Sequence, residues 1–302
     1  MLKLRLLIIL MIVPCTVLKA QYLYPNDEGK RVNLRFSAGY SSEDLSWSIA
    51  GNSRGQNPNV YSELIWRDQR GPALAVTGSY RFFKSWFIEA DYTTMKIKGG
   101  RVTDTDYGAN NRTNPQFHVQ LNSNRGSSSA GTLTIFNKLK ITNKLNLLLG
   151  AGYGVKQQSL YLDDSDPNAQ ENLNSNYKTQ WKGWLLCFNP VYQVSNKITL
   201  SGRFTYHQVT YAAKANWNLI PEFEHPLSFQ HNAKGYGIQA LGRLNFKLSS
   251  LITLQFNVMH GKWSTGKGTD LLYLLNGQRP FTQLNGVSSI TNSILAGLEI
   301  KF

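Results

Sequence analysis

The C-terminal segment of the chain alternates between apolar and polar residues. Ile290, Ile294, Ala296, Leu298, Ile300 and Phe302 fall on one face, and Thr291, Ser293, Gly297, Glu299 and Lys301 on the other, with Leu295 as the exception. A period of two marks an extended strand with one apolar and one polar face. Residues 252–258 repeat it, with Ile252, Leu254, Phe256 and Val258 against Thr253, Gln255 and Asn257. So do residues 238–248, where Ile238, Ala240, Leu244, Phe246 and Leu248 oppose Gln239, Arg243, Asn245 and Lys247. A soluble β-sandwich alternates too, so the connections decide. Ten strands are predicted, at roughly 31–49, 60–82, 85–103, 127–141, 144–162, 176–194, 197–213, 228–248, 251–265 and 286–302. Phe83-Lys84-Ser85, Thr142-Asn143-Lys144, Ser195-Asn196-Lys197 and Ser249-Ser250 are short turns, and long polar loops lie near 50–59, 104–126, 163–175, 214–227 and 266–285. Short turns on one rim and long loops on the other characterise transmembrane barrels. The expected fold is all-β: a closed antiparallel transmembrane β-barrel of about ten strands, with short periplasmic turns and long extracellular loops.

The first 20 residues read as an export signal. Lys3 and Arg5 form a charged start, Leu6 to Pro14 an apolar core, and Ala20 a cleavage residue before Gln21. The apolar run is too short for a bilayer span, which takes about 20 residues. A lipid-anchored reading of Cys15 is disfavoured by Pro14, where a small residue is expected. The expected organisation is 1–20 signal peptide and 21–302 outer-membrane barrel. Losing Lys3, Arg5 and Lys19 lowers the formal charge from +14 to +11. Cys187 is then the lone thiol, which excludes an intramolecular disulfide. A basic exported chain meets anionic lipid headgroups before nucleic acid, so outer-membrane lipid is the expected partner and nucleic acid is not. A 12% aromatic share suits the two water–lipid boundaries of a barrel.

Strands of about 19 residues, tilted near 45°, reach roughly 45 Å in height, against an apolar band of only ~25 Å. The wall should therefore project beyond the membrane. A ten-stranded lumen is narrow and filled by its own side chains. Glu89, Asp91, Arg203, Arg243, Glu299 and Lys301 are the candidate inward charges. A wide diffusion pore is not expected at this size, and single-channel conductance in planar bilayers is the observation that would revive a small porin.

The clearest acidic constellation is Gly99-Gly100-Arg101-Val102-Thr103-Asp104-Thr105-Asp106. Carboxylates at i and i+2 on a strand point to one side. Close carboxylates can share a proton or position a water for general base chemistry. The alternative is an acidic loop tip in solvent, a common use of Asp-x-Asp. Parity matters as well. Glu89, Asp91 and Thr93 are odd-numbered and inward, so Asp104 and Asp106 face the lumen only if the register slips by one, and Gly99-Gly100 could host the bulge. There is no P-loop, no dinucleotide glycine pattern and no His-Glu-x-x-His, and the five histidines show no metal spacing. No cofactor or metal is expected.

Lys98-Gly99-Gly100-x-x-x-Asp104-x-Asp106-Tyr107 resembles a segment of the omptins, ten-stranded outer-membrane endopeptidases of Gram-negative bacteria. Ser62-Glu63-Leu64-Ile65-Trp66, Gly150-Ala151-Gly152-Tyr153 and Ala296-Gly297-Leu298 with the terminal Phe302 resemble further omptin stretches in the same order. The resemblance implies a monomeric barrel that cleaves peptide or protein substrates at its extracellular mouth. Asp104 and Asp106 would hold the attacking water, opposite an Asp-x-His dyad. Counting along the seventh strand puts Asn216-Trp217-Asn218 at the dyad, and neither Asn is a base. A rival placement uses Glu222, Glu224 and His225, with His225 as base beside Glu224. His207 is expected to be a structural inward side chain. The alternative is an inactive barrel of this architecture serving binding, adhesion or envelope structure. The family also implies lipopolysaccharide as an activating lipid. The matching outer-wall positions are Gln157 and Gln180, with Lys156 and Lys182 alongside, and Glu43 and Asp44 could supply acidity at the mouth.

Overall fold

The computed structural model describes residues 30–163 and 173–302. The predicted signal segment, Cys15 included, lies outside the described residues, as does most of the predicted loop 163–175. Thirteen strands form among the described residues: β1 Val32–Ile49, β2 Ser62–Phe83, β3 Trp86–Lys96, β4 Gly99–Ala109, β5 Thr113–Asn122, β6 Gly126–Lys140, β7 Leu145–Leu162, β8 Ser175–Gln193, β9 Ile198–Asn216, β10 Phe229–Lys247, β11 Ile252–Thr265, β12 Gly268–Leu272 and β13 Phe281–Lys301. Ten of them close a circuit, β1-β2-β3-β6-β7-β8-β9-β10-β11-β13, and β13 pairs back onto β1. Every pairing is antiparallel. Closure satisfies each strand's backbone groups on both sides, a condition for crossing lipid. The Arg31 N–H donates to the Phe302 carbonyl at 2.8 Å, so the described N-terminal end and the C-terminus share the short-turn rim.

The other three strands correct the predicted loops. The stretch read as loop 104–126 is mostly a hairpin, β4 and β5, and β12 lies within predicted loop 266–285. β4 extends the line of β3 along the upper end of β2. Above the membrane both faces of a strand can meet water, so apolar alternation lapses and the sequence resembles loop.

The parity slip occurs. Inward residues are odd up to Met95 and Ile97, then even at Val102 and Asp104. Between Arg67 and Arg70 the β2–β4 register shifts, with Asp68 at φ 55°. β2 switches in step: Trp66 and Leu64 are inward above the bulge, Ala73 and Thr77 below it. A Cβ on Gly100 would approach the Ser123 carbonyl oxygen to 2.7 Å, so a larger residue does not fit there.

The outer wall carries a belt of exposed apolar side chains in the short-turn half, including Tyr40, Leu74, Ile135, Trp184, Leu186, Phe204, Ile238, Phe256 and Ile294. The lumen has three storeys. At the periplasmic end Arg35 bridges Glu89 at 3.0 Å and Glu299 at 3.4 Å, while Arg203 pairs with Glu89 and, at 3.3 Å, with Asp91. All the predicted inward charges sit here: Arg243 donates to Asn257 at 2.7 Å, and Lys301 lies 3.9 Å from Glu299. Mid-lumen is a cavity of about 170 Å³ lined by Ser and Thr side chains together with Met95, Leu185 and Leu241. At its upper side Lys156 pairs with Glu43 at 3.2 Å and donates to Thr291 at 2.8 Å. Higher still, Leu45, Trp47, Leu64, Trp66, Tyr177, Trp181, Tyr211, Phe229 and Trp263 pack into a hydrophobic plug. Above and below that cavity the lumen is filled by side chains, as its width requires.

Candidate functional site

Asp104 and Asp106 both project inward from β4, opposite Leu64 and Ser62 of β2. This level is above the membrane. Along β2 the outward residues beside β4 end at Arg70, and Leu74 is the first exposed large hydrophobic side chain below it. Asp104 is only 6% exposed, and its Oδ1 has no hydrogen-bond partner. Burial at the edge of the plug, together with the Asp106 charge, pushes its carboxyl up to about 8, and the Ser62 side chain opposes the rise. Burial also raises Asp106, again opposed by Ser62. At neutral pH Asp104 is largely a protonated acid, able to donate one hydrogen bond.

Glu224 and His225 lie in the connection between β9 and β10, and their partners are the β12–β13 connection and the end of β9. Glu224 pairs with Arg279 at 2.8 Å. Nδ1 of His225 lies 2.8 Å from Oδ1 of Asn216. No hydrogen bond or ion pair among the described residues joins this set to Asp104 and Asp106. The two Asn at the expected dyad positions have local tasks: Asn216 partners His225, while Asn218 donates through its side chain to the Leu173 carbonyl at 2.7 Å. His207 is a buried inward residue, its Nε2 lying 3.3 Å from Gln239 Oε1, as expected.

Two expectations about the walls change. Lys156 points into the lumen, held by Glu43, so it cannot flank an outer lipid site. The same pair takes Glu43 away from the mouth. Odd parity on β1 and even parity on this part of β7 put both side chains inside.

A polar cluster that the alternation did not reveal sits inside the plug. Nε2 of His231 lies 3.2 Å from Oδ1 of Asp270, and its Nδ1 lies 2.8 Å from the Tyr177 hydroxyl. That hydroxyl is 2.7 Å from the Tyr211 hydroxyl, and Thr282 donates to Asp270 Oδ2 at 3.0 Å. His231 and Asp270 are essentially inaccessible, so the cluster positions rings and does not receive a substrate. Parity marks His231 as inward, but Asp270 fell in a predicted loop.

A closed antiparallel cylinder with an apolar outer belt, a charged lumen and strands rising above the belt is a multi-pass β-barrel of the outer membrane. Over residues 35–302 the sequence matches the family described as Pom: Protochlamydia outer membrane protein, and the chain belongs to that family. Its fold is similar to that of the outer membrane protease OmpT from Escherichia coli, at 15% identity and TM-score 0.71, covering 93% of this chain and 99% of that one. The translocator domain of the autotransporter NalP from Neisseria meningitidis aligns at 12% identity and TM-score 0.40, covering 92% and 90%. No curated protein matches the chain.

Proposed function

We propose that this chain is a closed barrel of omptin-like shape that works by binding at its extracellular rim, without hydrolysis. The observation that carries the reading is the plug. Trp66 and Tyr177, from β2 and β8, stack at 5.4 Å, and Tyr177 is within ring-contact distance of Trp47, Phe229 and His231. A base must reach the water it activates. Glu224 is committed to Arg279 and His225 to Asn216, while Asp104 is held protonated at neutral pH. The test uses purified, lipid-reconstituted protein and a panel of basic peptides. The expected result is no specific cleavage. Cleavage that Asp104→Asn or Asp106→Asn abolishes would overturn the proposal.

The hydrolytic reading, with Asp104 and Asp106 holding the water and His225 with Glu224 opposite, has one observation in its favour. Oδ1 of Asp104 is buried without a partner, and a water there would satisfy it.

For a lipid partner, the supporting feature is a row of outward lysines above the apolar belt: Lys178 and Lys182 on β8, Lys214 on β9, Lys234 on β10 and Lys262 on β11, all exposed. These four strands contain no Asp or Glu. Lys178 and Lys214 are direct cross-strand partners, an arrangement that is unfavourable without an anion between them. Phosphate-bearing lipid, lipopolysaccharide included, fits that row.

A further inference from the structure

At the opposite side of the rim, the connection between β1 and β2 meets the tip of the β4–β5 hairpin. Between them lies an open pocket of about 430 Å³ lined by Gln56, Asn57, Asn59, Asn110 and Asn111. Every lining side chain is a neutral amide. We infer that this pocket is a binding site for a neutral carbohydrate. The inference rests on the rim-binding reading above and names its ligand class.

The pocket's frame is built from part of its own amides. The Asn59 N–H donates to Asn110 Oδ1 at 2.8 Å. The Asn59 side chain donates to Asn111 Oδ1 at 2.9 Å, and the Asn111 N–H returns to Asn59 Oδ1 at 2.7 Å. These three bonds tie the two loops together. On the far side, Asn285 donates to the Asn59 carbonyl at 2.9 Å, and Asn52 Oδ1 accepts the N–H groups of Arg54 and Gln56. Left-handed backbone at Asn57 and Asn111, φ 56° and 60°, accounts for asparagine at those two positions. It does not account for Gln56, or for the hydrogen-bonding capacity left over.

That capacity defines the ligand. The side chains of Gln56 and Asn57 have no hydrogen-bond partner among the described residues, and neither do Nδ2 of Asn110 and Nδ2 of Asn111. The pocket thus presents two free amide oxygens and four free amide nitrogens. An amide accepts at its oxygen and donates at its nitrogen. A hydroxyl also does both, so vicinal hydroxyls match such a lining. Ligand pockets of this size are ordinarily mostly apolar with a few polar groups. This one has no apolar side chain, so a ligand recognised through its apolar area does not fit. Its lining has no charged side chain, and the adjacent Arg112 is paired with Glu63 at 2.6 Å, so the lining itself offers phosphate or carboxylate ligands no counter-charge. A peptide would also hydrogen-bond to amides, but it needs seats for its side chains, and the lining offers none.

The test uses the full chain folded in detergent free of lipopolysaccharide, applied in parallel to arrays of neutral oligosaccharides, acidic oligosaccharides and random peptides. Wild type is compared with Gln56→Ala and Asn110→Asp. The second variant keeps the oxygen that accepts the Asn59 N–H but removes the free donors, and heat-modifiable mobility on gels verifies that both variants fold. Binding of at least one neutral oligosaccharide is expected, weakened about tenfold or more by each variant, as loss of one or two hydrogen bonds implies. No binding to neutral sugars, binding indifferent to both variants, or binding to acidic sugars or peptides alone would overturn the inference. Asp104-dependent peptide cleavage would instead overturn the rim-binding reading, and leaves the sugar readout to be judged on its own.

Discussion

The indole of Trp66 on β2 stacks on the phenol ring of Tyr177 on β8, with ring centroids 5.4 Å apart and planes 16° from parallel. Both rings are fully buried, and they bridge two strands that are not neighbours in the sheet. The closure of the mouth is made of contacts of this kind.

Trp66→Ala should cost about 3–5 kcal/mol, the usual penalty for emptying a large aromatic site. It should also raise ion leakage through the barrel. Thermal unfolding in micelles and single-channel recording in planar bilayers measure the two effects. A steady wild-type conductance, equal in the variant, would show that the plug does not seal the lumen.

Glu89 holds two guanidinium groups, those of Arg35 and Arg203, while being only 1% exposed. Glu89→Gln leaves Arg35 with only Glu299 and Arg203 with only Asp91 as counter-charge in a narrow lumen. Removing one member of a buried charge pair costs up to about 3–5 kcal/mol, and the two remaining carboxylates place this variant at the lower end. Urea unfolding from lipid vesicles should show a loss of that order, larger than that for Lys301→Ala at the exposed margin of the same network.

Asp104 gives a pH dependence of known sign. Its carboxyl titrates near 3.8 when unfolded and at about 8 in the barrel. The folded state therefore holds the proton more tightly, and stability falls as pH rises through that window. The β4–β5 hairpin should show higher hydrogen-exchange protection at pH 5 than at pH 8.5. Asp104→Asn should flatten the difference and protect the hairpin at the higher pH. An unchanged pH profile in the variant would assign the effect to another group.

The outward lysines predict a salt-sensitive lipid effect. Each basic residue near an anionic surface contributes about 1 kcal/mol, screened over a Debye length. Phosphate-bearing lipid should raise the unfolding temperature of the wild type. Replacing Lys178, Lys214, Lys234 and Lys262 by Ala should abolish most of that rise, as should high salt. Gln157 and Gln180, without charge, should be indifferent.

The ten-strand wall was legible because lipid selects an apolar residue at every second position of a membrane strand, as 294–302 and 252–258 show. The inward charges Glu89, Asp91, Arg203, Arg243 and Glu299 were legible for the same reason. Arg35 was not singled out, although it proved central to their network. Above the belt the constraint lifts. The hairpin of β4 and β5 then read as loop, and β12 with Asp270 was missed. The pairing of Asp104 with Asp106 was visible at i and i+2. Its orientation depended on a parity change between Ile97 and Val102, around Gly99-Gly100, matched by a bulge at Arg67–Arg70 in β2.

Local patterning thus accounts for the closed sheet and its outer-membrane address, since period and turn spacing are properties of neighbours along the chain. Which side chains meet inside was decided by closure. Register and bulges set the depth at which each strand presents its inward residues, and only the rolled sheet brings Glu43 to Lys156, His231 to Asp270, or Asn59 to Asn110 and Asn111. Those meetings join residues 39 to 113 positions apart or lie on separate loops, where no local periodicity reaches.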